Sequence, residues 1–167
     1  MTTVLLIRHG RTRSNTDGVL AGRTPGVSLD DVGERQATTV GQDLSNIPLQ
    51  FIVSSPLTRT VQTSDAIVTE HKAPRMAMSR HQDDRLIECD YGDWTGRELL
   101  KLRKEPLWKT VQMHPSSVRF PSGEAMIGMQ SRAVEAVRDW NEKAGPKGMY
   151  AVCSHGDVIK AILADAL

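Results

Sequence analysis

Three short apolar runs, Thr3–Ile7, Phe51–Val53 and Met149–Cys153, each stop abruptly at small, polar or charged residues. Aliphatic and β-branched side chains without polar alternation read as strands buried on both faces. Helical patterns lie between them. After Asp30, an N-cap candidate, Val32, Ala37, Val40 and Leu44 recur at helical spacing; after Ser55-Pro56, with proline at the first helical position, come Leu57, Val61 and Val68. Met126, Met129, Ala133, Val137, Trp140 and Ala144 mark a helix from about Ala125 to Ala144, closed by Gly145-Pro146. Strands alternating with helices imply a three-layer α/β fold, a mostly parallel sheet with helices on both faces. Met76-Ala77-Met78 is a further strand candidate, and Leu99 to Met113 reads as short helices and loops over the sheet. The ligand crevice of such a sheet lies beyond the carboxyl ends of its strands. Those ends carry Arg8-His9-Gly10, then Ser54-Ser55-Pro56 with Arg59 in the next helical turn, then Ser154-His155-Gly156.

A chain of 167 residues suffices for one domain, read as spanning 1–167, with a core that needs no disulfide. Lys and Arg total 21 against 20 Asp and Glu, so the balance of +1 carries no nucleic-acid footprint. No apolar run is long enough for a signal peptide or a membrane span, which predicts a cytoplasmic protein without a membrane partner. Cys89 and Cys153 form no C-x-x-C pair. No exposed apolar stripe stands out, so the sequence assigns no oligomeric state. The near-neutral average hides a local excess: Arg8, Arg11, Arg13 and Arg23 are opposed only by Asp17 before Asp30. That segment calls for an anion.

Two histidines and two arginines converging at strand ends suit a phosphoryl group, because guanidinium forks match its oxygens and helix N-termini add N–H donors. A cationic pocket also disfavours imidazolium, leaving a ring nitrogen free to attack phosphorus. The departing oxygen needs a proton, for which Glu88 in Leu86-Ile87-Glu88 is the candidate; Asp83, Asp84, Asp90 and Asp93 crowd the same stretch as alternative acids. Cys153 and His155 alternate at strand spacing, as two metal ligands would, but no second ligand pair accompanies them. Neither a metal nor an organic cofactor is therefore expected. Arg11, Arg13 and Arg23 read equally well as substrate-side cations and as a solvated basic rim.

Taken together and in order, these segments resemble the histidine phosphatase superfamily, which includes the cofactor-dependent phosphoglycerate mutases. The resemblance rests on Arg8-His9-Gly10-Arg11-Thr12 with Asn15, on Ala21-Gly22-Arg23, and on Leu29-Asp30-Asp31-Val32-Gly33-Glu34-Arg35-Gln36-Ala37. It continues through Ser54-Ser55-Pro56-Leu57-Thr58-Arg59-Thr60-Val61-Gln62-Thr63, Leu86-Ile87-Glu88 and Ser154-His155-Gly156. It implies a phosphoglycerate mutase-like fold in which His9 carries a phosphohistidine. Arg8, Arg59 and His155 would bind the phosphoryl oxygens and Glu88 would act as acid and then base. Asn15, Ala21, Gly22 and Arg11 would line the substrate side. Three function classes follow: hydrolysis of a small phosphorylated substrate, a phosphoglycerate mutase-type transfer, and a silent phospho-ligand module. The five intact motif residues weigh against silence. The modest stretch from Gly92 to Gly123, and Phe120-Pro121-Ser122-Gly123-Glu124, resemble the phosphatase-type branch and favour hydrolysis. After His155, Ile159, Ile162, Leu163 and Leu167 describe a helix still in progress, where family members continue to another edge strand. The domain is thus expected to be C-terminally truncated, with that strand missing.

Overall fold

A computed structural model describes residues 1–72 and 78–167. Strands β1 (Thr3–Arg8), β2 (Phe51–Ser54), β3 (Ser79–Gln82) and β4 (Met149–Ser154) form one parallel sheet in the order β1-β4-β2-β3. The helices are α1 (Arg13–Thr16), α2 (Asp31–Asp43), α3 (Thr58–Glu70), α4 (Leu99–Leu102), α5 (Pro106–Met113), α6 (Met126–Ala144) and α7 (Gly156–Ala166). This is the expected three-layer α/β architecture. Ala151 of β4 pairs with Leu5 on one side and Ile52 on the other, so the last strand bridges the first two.

Side chains alternate across the pleat and so assign each layer. Leu5, Ile7, Ile52, Ala151 and Cys153 face the layer that contributes Val40 and Ile67 from α2 and α3. Leu6, Phe51, Val53, Tyr150 and Val152 face α6, which contributes Ala136, Trp140 and Ala144. Val158 and Ile162 of α7 join Met129 and Ala133 in a cluster that reaches Trp94, Leu102 and Phe120. That cluster carries the second layer past the strand ends, towards the place where His9 and His155 emerge.

Local chemistry sets the element limits. Asp30 accepts from the N–H groups of Val32 and Gly33, capping α2 as its sequence implies. Gly145, at φ +71°, terminates α6 in a backbone conformation open mainly to glycine. The α3 boundary differs from expectation: Pro56 is not the first helical residue, since Leu57 is the extended N-cap and the helix begins at Thr58. Ser55 N–H donates to Cys153 O at 3.0 Å and the Thr60 hydroxyl donates to Ser55 O at 2.9 Å, pinning this segment across the end of β4. Of the strand expected at Met76-Ala77-Met78, the first two residues lie outside the described ones; Met78 is buried, and β3 begins at the exposed Ser79.

The turn after β1 fits against the start of α2 only because both surfaces lack side chains. A Cβ on Gly10 would stand 2.5 Å from Gly33 O, and one on Gly33 would overlap the Arg11 carbonyl oxygen. Gly33→Ala should therefore lower stability by about 1–3 kcal/mol through forced separation of α2 from the His9 turn. Thermal unfolding followed by circular dichroism checks this, with a Tm drop of about 2–10 °C expected.

Candidate functional site

Arg59, the second residue of α3, is only 3% exposed and organises the groups around it. Its Nε donates to His9 Nε2 at 3.2 Å, and its Nη2 donates to Gly22 O at 2.8 Å and to His155 Nδ1 at 3.2 Å. Accepting nitrogens must be unprotonated, so the partners of the other ring atoms fix both tautomers. His9 Nδ1–H donates to Gly10 O at 2.7 Å, leaving Nε2 with its lone pair. His155 Nε2–H donates to Ser55 Oγ at 2.8 Å. Arg59 Nη1 is buried and has no hydrogen-bond partner among the described residues. An unmade buried guanidinium bond is costly, and an anionic oxygen would satisfy it.

Backbone geometry delivers these groups. His9 N–H donates to Ser154 O at 3.1 Å, extending the β1–β4 ladder to the residue that carries the ring. Gly22 turns at φ +51°, and a Cβ there would stand 3.0 Å from Thr95 Oγ1 and 3.1 Å from Tyr91 Cδ2. Its carbonyl can reach Arg59 only with that close approach. Arg8 ends β1; its Nε lies 3.6 Å from where a Cβ on Gly156 would stand, beside the start of α7. Unlike Arg59 it is exposed, and no carboxylate pairs with it among the described residues.

The cationic excess near the N-terminus is mostly spent locally. Arg11 Nε pairs with Asp30 at 2.8 Å, Arg13 with Asp17 at 2.9 Å, and Arg23 with Glu124 at 3.0 Å. Arg11 is thus a correction to the expected substrate-side set: its guanidinium is drawn to the α2 cap and does not line the cavity. Asn15, Ala21 and Gly22 do line it, together with Arg8, His9, Arg59 and Glu88. Asn15 Oδ1 accepts from Thr12 N–H and Oγ1–H at 3.0 Å, so its carbonyl caps α1. The cavity measures about 700 Å³. His155 lies fully buried behind Arg59.

Glu88 is the acid of its stretch that reaches the cavity. Asp83 accepts from the Arg85 guanidinium and from Trp140 Nε1–H, while Asp84 and Asp93 are exposed and Asp90 Oδ1 accepts from Gly92 N–H. The Glu88 side chain is 8% exposed, with Oε1 accepting from Cys89 N–H at 2.9 Å. Burial above all, and then the Asp157 charge, push its carboxyl up from 4.5 to about 7 despite Arg59 and Arg8. Tyr91 donates to Asp157 Oδ2 at 2.7 Å, and burial keeps the phenol protonated as that donor. Burial likewise lowers His9 from 6.5 to about 4, with Arg59 and Arg8 acting in the same direction. His155 is lowered too, by burial first and then by Arg59. At neutral pH both rings are uncharged, and Glu88 is poised between its two forms.

Sequence reasoning missed the support beneath Glu88. Arg132 of α6 donates to the carbonyls of Arg85 at 2.6 Å, Ile87 at 2.7 Å and Glu88 at 3.2 Å, and pairs with Glu124. Arg23 donates to the same Glu88 carbonyl at 2.8 Å. The available signal was Arg132 falling beside Met129, Ala133 and Ala136 on the buried face of α6, where a cation needs partners. The Cys153–His155 metal reading does not hold: Cys153 faces α2 and α3, and both His155 nitrogens are engaged. Among the described residues no helix is long and apolar enough to cross a membrane.

The family described as histidine phosphatase superfamily (branch 1) matches residues 4–167. The chain is 30% identical over 165 residues, 99% of its length and 77% of the relative's, to the uncharacterized phosphatase PhoE of Bacillus subtilis. It is 31% identical, over 100% of its own length and 75% of the relative's, to the probable phosphoglycerate mutase GpmB of Yersinia pestis. Among solved structures, Bacillus stearothermophilus YhfR superposes with a TM-score of 0.85 at 27% identity, covering 99% of this chain and 79% of that one.

Glu88 makes stability depend on pH in a defined direction. Between 4.5 and about 7 the unfolded chain ionises this carboxyl while the folded chain keeps the proton, so its contribution to folding weakens as pH rises through that window. Glu88→Gln, which cannot ionise, should raise Tm at pH 8 by on the order of 5 °C and much less at pH 4.5. Paired calorimetric scans of variant and parent check this, since the histidine contributions cancel between them.

Proposed function

The chain belongs to the histidine phosphatase superfamily, and from that premise we propose that it hydrolyses small phosphomonoesters through a phosphohistidine on His9, with Glu88 as the proton donor. The observation that carries this reading is the His9 tautomer: Nδ1–H is committed to Gly10 O, and Nε2 keeps its lone pair beside the buried Arg59. In the first step His9 Nε2 bonds to phosphorus, the bond to the ester oxygen breaks, and the Glu88 proton goes to that oxygen. In the second, water attacks phosphorus, its proton goes to the Glu88 carboxylate, and the Nε2–phosphorus bond breaks to release phosphate. Arg8 and Arg59 hold the phosphoryl oxygens through both steps, and the otherwise unpartnered Arg59 Nη1 supplies a donor for them. His155, buried behind Arg59 with both nitrogens engaged, positions that guanidinium and does not reach the phosphoryl group, where the resemblance would place it. The protein's own guanidinium groups provide the positive charge, so no metal is required.

Phosphoglycerate mutase-type transfer uses the same first step, and a mutase-named relative keeps it in view. A mutase must also hold the second anionic group of its substrate. Hydrolysis is supported over transfer by the pairing of Arg11, Arg13 and Arg23 with carboxylates, which leaves Arg8 and Arg59 as the cavity's arginines.

The protein should hydrolyse a simple phosphomonoester in EDTA and accumulate an acid-labile phosphoenzyme on rapid quench. His9→Ala should lose the phosphoenzyme and lower kcat about a thousandfold or more. Normal turnover by that variant would remove His9 from the role. Rapid, primer-dependent interconversion of phosphoglycerates without phosphate release would favour the mutase.

Because the first step consumes the Glu88 proton, kcat/KM should fall as pH rises past about 7. A bound phosphate dianion repels the carboxylate and should move the corresponding kcat limb to higher pH. Asp157→Asn, which removes the like charge near Glu88, should move both limbs to lower pH. A pH–rate profile unchanged by this substitution would assign the limb to another group.

A further inference from the structure

Arg23, which the sequence leaves undecided between a substrate-side cation and a solvated rim residue, is neither. Its side chain does not line the cavity and turns instead to the main chain of the loop that carries Glu88. Nε donates to the Glu88 carbonyl at 2.8 Å, and Nη2 donates to Glu124 Oε2 at 3.0 Å. The residue before it serves the opposite side of the site: the Gly22 carbonyl accepts from Arg59 Nη2 at 2.8 Å. Two adjacent residues thus join the guanidinium that would hold a phosphoryl group to the backbone of the residue that would supply the proton.

The parts on either side of this link are themselves held. Thr24 N–H donates to Ala21 O at 3.0 Å and closes the turn, while Leu20 N–H donates to Arg97 O at 2.9 Å just before it. Beyond the Glu88 carbonyl, every guanidinium N–H of Arg132 is committed. Nε and Nη2 donate to Glu124, Nη1 to the Arg85 and Ile87 carbonyls, and Nη2 also to Glu88 O. Glu124 adds a return contact, since its own N–H donates to Asp90 O at 2.8 Å. Arg132 and Glu124 therefore fasten the acid loop to α6, and Arg23 fastens it to the turn that holds Arg59. A planar guanidinium bonded at two edges fixes angle as well as distance. Proton transfer depends on both, because the acid must lie within hydrogen-bond reach of the departing oxygen. A misplacement of about 1 Å costs on the order of a hundredfold in rate.

We propose that Arg23 is a positioning residue for the proton transfer: through the Gly22-Arg23 turn it sets where Glu88 stands relative to a phosphoryl group held by Arg59. This rests on the hydrolytic reading above and deepens it. Arg23 acts on departure of the ester oxygen and not on binding of the phosphoryl group.

Arg23→Met keeps much of the side-chain length and removes its donors. The side chain is partly exposed and Arg132 still reaches the Glu88 carbonyl, so the fold should survive. Two esters are compared by kcat/KM, which reports the steps up to departure of the alcohol. Glycerol 1-phosphate releases an alkoxide that needs a proton; 2,4-dinitrophenyl phosphate releases a stable phenolate that does not. The substitution should lower kcat/KM about tenfold or more for the first ester and less than about threefold for the second. The inhibition constant of inorganic phosphate should stay near the parent value. A ratio of the two kcat/KM values equal to that of the parent, whether both fall or neither does, would overturn the proposal.

A second arm needs no turnover. Glu88→Gln should raise Tm at pH 8 in the parent, where the carboxyl is held desolvated; in the Arg23→Met background the loosened loop hydrates it, and the gain should fall to less than about half. An undiminished gain would also overturn the proposal. If the parent turns over neither ester, hydrolysis falls, and a gain that shrinks still supports the placing of Glu88 by Arg23. If glycerol 1-phosphate is hydrolysed and the ratio does not move, the positioning role falls and hydrolysis stands. Should Arg23→Met not fold, Glu124→Gln removes the carboxylate that Arg23 and Arg132 share, and the same shifts are expected of it.

Discussion

A buried guanidinium without a carboxylate partner is the constraint around which this molecule is arranged. Arg59 cannot shed its proton, so its charge must be accommodated by neutral acceptors and by whatever anion arrives. Its neighbours conform to that demand. Two histidines present lone pairs to it, which dictates where their protons sit, and Gly22 adopts a left-handed turn to bring a carbonyl within 2.8 Å. A carboxylate in the same position would have made a more stable ion pair and a poorer anion site. Burial keeps the one nearby carboxyl, Glu88, protonated until about neutral pH, so it does not quench the cation below that range.

Opposite Arg59, the molecule uses cations to a different end. Arg132 and Arg23 spread their N–H groups over main-chain carbonyls from Arg85 to Glu88 and share Glu124 as a common ion-pair partner. The loop that carries Glu88 has little regular structure of its own, yet its backbone acceptors are satisfied from α6 and from the turn before Thr24. Rigid backbone lets a carboxyl remain desolvated without the loop swinging out to hydrate it. The energetic conflict is local: a carboxyl whose ionisation disfavours folding above neutral pH sits on a segment held by two arginines.

How much of this could be read from the residues depends on the range of the interaction involved. Strand ends announce themselves through neighbours in sequence, so the placing of His9, Arg59 and His155 near one another followed from three apolar runs and a parallel-sheet rule. The Asp30 cap and the Gly145 stop are equally local. The Pro56 boundary slipped because the contact that delays α3 comes from Cys153 on another strand. Arg11 reads equally well from sequence as a substrate-side cation and as a rim residue for a related reason: its partner Asp30 is brought to it by the packing of two glycines, Gly10 and Gly33, not by sequence proximity. Arg132 was passed over because its acceptors are carbonyl groups, which every residue carries and no side-chain pattern reveals.

The strand order has a temporal meaning as well as a spatial one. β1, with His9 at its end, is synthesised first, but its neighbour in the sheet is β4, whose first residue lies at Met149. On a ribosome moving at about 5–20 residues per second, β1 waits for its hydrogen-bonding partner through most of translation. Meanwhile β2 can dock with β3 and α3 can pack on α2, placing Arg59 in a half-built pocket. Closure then depends on a late insertion between two earlier strands, a long-range step of the kind that slows folding. The earliest part of the site to be made is thus the last to be seated, and a nascent chain halted before β4 carries His9 at a strand end and Arg59 on α3 with only the α2–α3 layer between them, through the Gly10–Gly33 contact and the Gly10 N–H bond to Thr63 Oγ1.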